Sequence, residues 1–187
     1  MHVISRDSPC YFLTSVSKDR LPVFRADEIK DVTVKAIDEA RKSGKFALYA
    51  YAIMPDHLHV ITDAARASKD VLRFINGIIS HRVIAHLKDK GYESSLQKLR
   101  RETQRRHYQH SLWDHHPNVR LLLTENMLME RVHYVHVNPV RARLVERAED
   151  YRYSSVRCWN QQPLEDEPLF MDIDRIQWRG ARRSLPN

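Results

Sequence analysis

Two histidines separated by one leucine, in the segment YAIMPDHLHVITD of residues 51–63, have a spacing that suits metal chemistry. Successive side chains of a β-strand point to opposite faces, so His57 and His59 would share one face of such a strand, with Leu58 and Val60 on the other. Two imidazoles on one face can bind a single metal ion. The same pattern also occurs as a half-exposed edge or an ordinary packed pair, so the pair by itself leaves both interpretations open.

A tyrosine and an asparagine form a second candidate pair, within the segment MERVHYVHVNPVRARLV of residues 129–145. Tyr134 and Asn138 are four residues apart, which places them on one face of a helix. On an isolated helix such a pair would be a surface or packing feature. A tyrosine hydroxyl is a poor nucleophile unless a nearby cation polarises its target, and the two histidines offer a place for that cation. The side-chain oxygen of Asn138 could then be a third ligand.

The hydrophobic patterns around these residues predict the elements that position them. Aromatic and β-branched residues predict a first strand over 11–17, and two apolar runs predict central strands over 46–54 and 57–63. The break at Pro55 predicts a tight connection, which would place both histidines in the middle of a sheet. Apolar residues at helical spacing predict helices over 27–43, over 68–90 with Ser68 as N-cap, and from Thr124 to Pro139.

Length and charge restrict the class of protein. The chain has 187 residues, enough for one domain with a tail. Its 31 Lys and Arg against 24 Asp and Glu, a formal charge of +7, favour an anionic partner, with nucleic acid ahead of an acidic lipid surface. We find no apolar N-terminal signal and no membrane span, and therefore expect a cytoplasmic protein. Two distant cysteines, Cys10 and Cys158, suit a reducing compartment.

Basic residues concentrate in three places that are candidates for contacting a nucleic acid. They are a turn at 18–25, one face of the helix at 69–82, and the run at 98–106, for which a solvated helix or a loop is an equally good interpretation. The residues predicted to bind DNA are Arg20, Arg25, Lys69, Arg73, Arg82, Arg100, Arg101, Arg105 and Arg106. Residues 159–187 mix prolines with alternating charge and show no periodicity, which predicts a weakly structured tail after a domain of residues 1–158.

Four blocks in this order resemble the single-tyrosine HUH transposase family, nearest its REP-associated tyrosine transposase branch. They are YFLTSVSKDRLPVF (11–24), YAIMPDHLHVI (51–61), YVHVNPVRARLV (134–145) and DYRYSSVR (150–157). HUH denotes histidine, bulky apolar residue, histidine, here residues 57–59. The histidine pair followed by the tyrosine block is the specific part of the resemblance. The chain departs from the family at Arg143, where the tyrosine block normally has glycine.

The resemblance implies an α/β (α+β) fold of the ferredoxin-like or RRM-like type, an antiparallel sheet packed with helices, with the histidines on a central strand. It implies a metal-dependent single-stranded DNA endonuclease and strand transferase acting on hairpin or REP-type DNA, as a monomer or homodimer. By similarity, His57, His59 and Asn138 would bind Mg²⁺ or Mn²⁺, with Zn²⁺ as an alternative. Tyr134 would attack the phosphodiester, giving a 5′-phosphotyrosyl enzyme and a free 3′-hydroxyl.

Two other functions remain open at the level of the sequence. A nucleic-acid-binding module with an RRM-like fold and no catalysis would share the composition and the charge. A metal-dependent hydrolase would use the histidines and make Tyr134 incidental. Three other tyrosines are rival nucleophiles, but none has an asparagine four residues later: Tyr108, Tyr151 and Tyr153.

Overall fold

A four-stranded antiparallel sheet forms the centre of the computed structural model, which describes residues 1–100, 109–114 and 117–178. Its strands are β1 (Cys10–Val16), β2 (Leu48–Ile53), β3 (His57–Asp63) and β4 (Asn118–Leu122), in the order β2-β3-β1-β4. All pairs of neighbouring strands are antiparallel. This order, with helices packed on the sheet, confirms the predicted ferredoxin-like α+β class, and β3 is an interior strand as expected.

Among the described residues, five helices accompany the sheet: α1 (Asp27–Gly44), α2 (Ser68–Asp89), α3 (Glu93–Lys98), α4 (Glu125–Arg141) and α5 (Val156–Trp159). Short 3-10 turns lie at Lys18–Arg20, Ala148–Asp150 and Ile173–Arg175. Within the described ranges, no helix is both long and apolar enough to cross a membrane.

The two faces of the sheet are covered by different helices. Leu58 and Val60 of β3 point into a core shared with α1 and α2. Ile61 belongs to a second core, which it shares with α4. Because side chains alternate along a strand, His57 and His59 lie on the α4 side together with Ile61. The sheet therefore separates the histidine face from the layer formed by α1 and α2.

The connection between β2 and β3 is as tight as the sequence predicted. The backbone N–H of Met54 donates to the carbonyl oxygen of His57 over 2.8 Å, closing the turn. Two groups from the β1–α1 connection fix this turn from outside: the Phe24 N–H donates to the Pro55 carbonyl, and the Ser17 hydroxyl donates to the Asp56 carbonyl. His57 therefore follows directly after a turn that these three hydrogen bonds hold in place.

Helix boundaries agree with the sequence in part. Thr124 is the N-cap of α4, and its hydroxyl accepts a hydrogen bond from the backbone N–H three residues later, as expected of a cap. Two predictions were wrong. Ala67 and not Ser68 is the N-cap of α2, and α4 continues past Pro139 to Arg141. A proline removes one hydrogen bond from a helix, and so close to the end the loss is tolerated.

Strand β4 was missed by the sequence analysis. Only Leu122 of its five residues is buried, whereas Leu121 is half exposed, so it shows no alternation of apolar and polar side chains. It is a short edge strand that pairs with β1. Strand β4 is therefore recognised by its hydrogen bonding to β1 and not by its own sequence pattern.

The expectation of a weakly structured tail was wrong for residues 159–178, which pack onto the domain. Leu169 and Ile176 are buried, and the backbone of Ile176 forms a parallel bridge with His2. The Leu48 N–H donates to a carboxylate oxygen of Asp172 over 2.9 Å, which covers the outer edge of β2. These anchors are single residues without a period, so no sequence pattern marks them. The proposed division of the chain at residue 158 stays a prediction.

Candidate active site

The histidine face of β3 and the tyrosine of α4 meet on one side of the sheet. The ring centres of His57 and His59 are 4.8 Å apart, and the ring of Tyr134 lies 5.5 Å from that of His59. Phe12, on the neighbouring strand β1, stacks on His59 at 5.3 Å and meets Tyr134 edge-on at 6.0 Å. The structure thus brings Tyr134 to a histidine pair that lies more than 70 positions earlier in the sequence.

Each histidine uses its Nδ1 for a contact within the protein, and neither Nε2 has a hydrogen-bond partner in the part of the chain that the structure describes. Asp56 Oδ1 accepts from His57 Nδ1 at 2.6 Å, and Thr14 Oγ1 lies 2.9 Å from His59 Nδ1. Because an ionised carboxylate only accepts, His57 carries a proton on Nδ1, which leaves Nε2 as the nitrogen that could bind a metal. The Nε2 of His59 is buried and has no hydrogen-bond partner among the described residues. Arg20 donates to the other oxygen of Asp56 at 3.1 Å.

The electrostatics of the site keep His59 neutral and the Asp56 carboxylate charged. Burial, assisted by the neighbouring His57, lowers the pKa of His59 to about 3, so His59 is neutral at physiological pH. Burial alone would raise the pKa of Asp56, but hydrogen bonds and charges from His57 and Arg20 outweigh it and hold the pKa below its usual value. A neutral imidazole whose other nitrogen is bonded to a carboxylate is the typical form of a histidine metal ligand. The pair therefore fits a divalent metal ion.

Asn138 lies one helical turn after Tyr134 on α4. Its side-chain nitrogen is 3.4 Å from the Tyr134 carbonyl oxygen, and within the described part of the chain its Oδ1 has no hydrogen-bond partner. No group of three His, Cys, Asp or Glu that could hold a metal is present among the described residues. Asn138 has an amide oxygen of the type that can bind a metal, and its role as third ligand stays a prediction.

Two arginines that the sequence analysis did not single out flank Tyr134. The guanidinium carbon of Arg131 is 5.6 Å from the ring centre of Tyr134, and that of Arg141 is 5.7 Å away. The signal that could have found them is their spacing, three residues before and seven after the tyrosine, which is one helix face. The tyrosine is partly exposed, and its hydroxyl makes no hydrogen bond with the described residues.

Two of the three other candidate nucleophiles, Tyr151 and Tyr153, are buried and have hydrogen-bonded hydroxyl groups. The hydroxyl of Tyr151 donates to the Ile53 carbonyl at 2.5 Å, and that of Tyr153 donates to Asp31 Oδ1 at 3.0 Å. Burial and the neighbouring Asp31 raise the pKa of Tyr153 to about 12. Both rings are buried, so DNA cannot reach them. Tyr108 lies outside the described residues.

The residues predicted to bind DNA occupy different parts of the molecule. Arg20 borders the histidines through Asp56. Lys69, Arg73 and Arg82 lie on α2, across the sheet from the histidines, and Arg82 forms two 2.8 Å hydrogen bonds with Glu39 of α1.

Of the remaining predicted residues, the structure describes Arg25 and Arg100. Arg25 lines a cleft of about 330 Å³ between the start of α1 and α3. The carbonyl oxygen of Arg100 accepts from Lys18 at 2.9 Å. Outside the described residues fall Arg101, Arg105 and Arg106.

Comparisons with known proteins bear on the family and the fold of the chain. A sequence model of IS200-like transposases matches residues 8–116. The structure resembles that of a REP-associated tyrosine transposase bound to a REP hairpin, with a TM-score of 0.61 and 16% identity over 88% of this chain and 87% of the other. A second solved structure, of a protein described as a transposase from Deinococcus radiodurans R1, gives a TM-score of 0.47 and 20% identity over 68% of this chain and 88% of the other. A search of curated proteins finds no match.

Proposed function

This chain belongs to the IS200-like transposase family, and we propose that it cuts and rejoins single-stranded DNA through a covalent bond to Tyr134. The observation that carries the proposal is the contact of Tyr134 with His59, whose Nε2 is buried without a hydrogen-bond partner among the described residues, and which lies 4.8 Å from His57 between ring centres. A module that only binds nucleic acid has no need of this combination. The solved relative with a bound REP hairpin supports a hairpin substrate, and the charge of +7 supports DNA binding.

The chain's own residues would carry out the reaction as follows. His57, His59 and Asn138 would hold a divalent metal, Mg²⁺ or Mn²⁺ with Zn²⁺ as an alternative, which when bound neutralises charge on the scissile phosphate. The Tyr134 oxygen forms a bond to phosphorus and releases its proton to water. The bond from phosphorus to the 3′-oxygen breaks, and that oxygen takes a proton. The products are a 5′-phosphotyrosyl enzyme and a free 3′-hydroxyl.

The covalent step preserves the energy of the phosphodiester. A phosphotyrosyl bond is itself a phosphodiester, so a 3′-hydroxyl can attack it and restore the DNA backbone without a nucleotide cofactor. A hydrolase that used water would discard this bond. The proposal therefore accounts for a tyrosine placed beside the histidines, which the hydrolase interpretation leaves without a role.

Changing Tyr134 to Phe should abolish the covalent adduct and leave hairpin binding within a few fold, because only the hydroxyl is lost and the ring still packs on His59. The measurement is a denaturing gel of labelled single-stranded hairpin DNA with Mg²⁺ or Mn²⁺. The matched control is Tyr92→Phe, which removes an exposed hydroxyl bonded to Glu28 on α1, away from the histidines. Cleavage without an adduct would favour a hydrolase, and binding without cleavage would favour a binding module.

Replacing both His57 and His59 by alanine should abolish cleavage and lower the affinity for Mn²⁺ by at least about tenfold, because two of three proposed protein ligands are lost. Calorimetric titration of Mn²⁺ reports the affinity without reference to activity. Cleavage by the unaltered protein that persists in excess chelator would contradict the metal hypothesis.

A further inference from the structure

The surface around Tyr134 carries two positive charges without acidic partners. Arg131 lies over the rings of both Phe12 and Tyr134, at 5.6 Å from each ring centre, and Arg141 lies 5.7 Å from Tyr134. Among the described residues neither guanidinium forms a salt bridge. Eight other described arginines are paired with carboxylates: Arg20, Arg41, Arg73, Arg82, Arg147, Arg152, Arg157 and Arg175. Several more, such as Arg66 and Arg120, form no salt bridge within the described residues, and the feature that distinguishes Arg131 and Arg141 is their contact with the Tyr134 ring.

A gain in stability does not explain why two arginines lie beside one tyrosine ring. A guanidinium over an aromatic ring at an exposed site contributes about 0.5–1 kcal/mol, and two like charges near one ring repel each other. The positions of both side chains follow from the helix, since residues three before and seven after Tyr134 share its face. Their planar forks match the oxygens of a phosphate, to which arginine can donate two parallel hydrogen bonds. The pair is therefore suited to an anion held at the tyrosine.

We propose that Arg131 and Arg141 bind the non-bridging oxygens of the scissile phosphodiester and hold its phosphorus against the Tyr134 hydroxyl. This role rests on the proposed function. As the bond from Tyr134 to phosphorus forms and the bond to the 3′-oxygen breaks, negative charge grows on the non-bridging oxygens. The two guanidinium groups stabilise that charge and exchange no proton. The same contacts serve the reverse step, in which a 3′-hydroxyl attacks the phosphotyrosyl bond.

Within the described residues, the guanidinium groups that contact the Tyr134 ring both come from helix α4. His59 and Phe12 contact the Tyr134 ring from the sheet side, and both are occupied with packing or with the proposed metal. The predicted DNA-binding residues of α2 lie beyond the sheet and cannot reach the tyrosine. Arg131 and Arg141 are the cations that the structure places beside its ring.

The test compares the rate of adduct formation in single turnover, at saturating labelled hairpin DNA, for Arg131→Gln, Arg141→Gln and the double variant. Each single change should slow the adduct by at least about tenfold, because a preorganised donor to a developing negative charge is lost. Arg131→Lys and Arg141→Lys, which keep the charge without the fork, should be slowed less. Thermal unfolding should be nearly unchanged, since neither residue is buried.

The matched control is the double variant Lys35→Gln with Lys42→Gln. Both lysines are exposed on α1, on the far side of the sheet, and their loss also lowers the net charge by two, from +7 to +5. The control should react at the wild-type rate. An equal loss in this control, or a rate in the Arg131 and Arg141 double variant within twofold of wild type, would overturn the role. If the wild-type protein formed no adduct, the proposed function would fail and this role with it.

Discussion

Asp56 determines which nitrogen of His57 is available. It accepts from Nδ1 at 2.6 Å, and its second oxygen is held by Arg20 at 3.1 Å, so the carboxylate is fixed from both sides. Such outer contacts set the tautomer and orientation of a histidine ligand. Arg20 was predicted from its charge alone as a DNA contact. In the structure its guanidinium holds the Asp56 carboxylate, and its contact with DNA stays a prediction.

We therefore expect Asp56→Asn to lower the affinity for Mn²⁺ by about 10–100-fold, because an amide can donate to Nδ1 and move the proton of His57 to Nε2. Nitrogen-15 NMR of the histidine ring reports that tautomer directly in the metal-free protein, and calorimetry gives the affinity. Asp70→Asn on α2, which removes a partly exposed carboxylate with the same charge change, is the control. An unchanged tautomer together with an unchanged affinity would refute the role of Asp56.

The sequence could predict part of this site. A period of two put His57 and His59 on one face, and a period of 3.6 put Tyr134 and Asn138 on another. Thr14 could not be predicted, because it reaches His59 only through the register of β1 against β3, in which the two residues are directly opposite. Residues that come from neighbouring strands depend on pairing, which one sequence does not display.

The end of α4 has the geometry that explains the glycine expected, from the family resemblance, at the position of Arg143. Arg143 has a φ of 56°, in the left-handed region that side chains disfavour. The Leu144 N–H donates to the Pro139 carbonyl and the Arg143 N–H to the Val140 carbonyl, both at 2.9 Å. This pair of bonds is the Schellman motif, whose left-handed position usually holds glycine. The departure thus leaves the turn intact at some cost in stability.

We predict that Arg143→Gly stabilises the protein by about 0.5–1 kcal/mol, because glycine adopts a positive φ without the steric penalty of a side chain. Urea unfolding followed by circular dichroism measures the change. Lys35→Gly, the same kind of replacement in the interior of α1, should instead destabilise by about 1 kcal/mol. A loss of stability in Arg143→Gly would mean that the side chain makes a favourable contact that outweighs its strain.

At the scale of the whole molecule, the sequence pattern predicted the layers of helices and sheet. It did not predict that residues 159–178 complete the domain. Long amphipathic helices and apolar strands predict an α+β sandwich because each must bury one face. Residues 159–178 close the domain by isolated contacts. Ile176 and Trp178 pack in the core that also contains Val135 of α4, the helix that carries Tyr134. The C-terminal segment thereby supports the helix of the candidate nucleophile.

One of the contacts made by the C-terminal segment is a buried ion pair between Arg157 and Glu167. Two nitrogens of Arg157 donate to the two carboxylate oxygens of Glu167 at 2.8 Å, and the side chains are only 7% and 0% exposed. Arg157 also donates to three backbone carbonyls, those of Glu149, Tyr151 and Arg152, so its guanidinium is fully occupied. The pair fastens the C-terminal segment to the loop after α4.

Removal of the acid alone should therefore be costly. We expect Glu167→Ala to destabilise the protein by about 3–5 kcal/mol, because Arg157 would keep a buried charge without its partner. The double variant Glu167→Leu with Arg157→Met removes both charges and should recover much of that loss, since the desolvation of the arginine disappears with it. Urea unfolding of the three proteins gives both differences. A loss below about 1 kcal/mol in Glu167→Ala would show that water or another group replaces the carboxylate, and that the C-terminal segment is held mainly by Leu169 and Ile176.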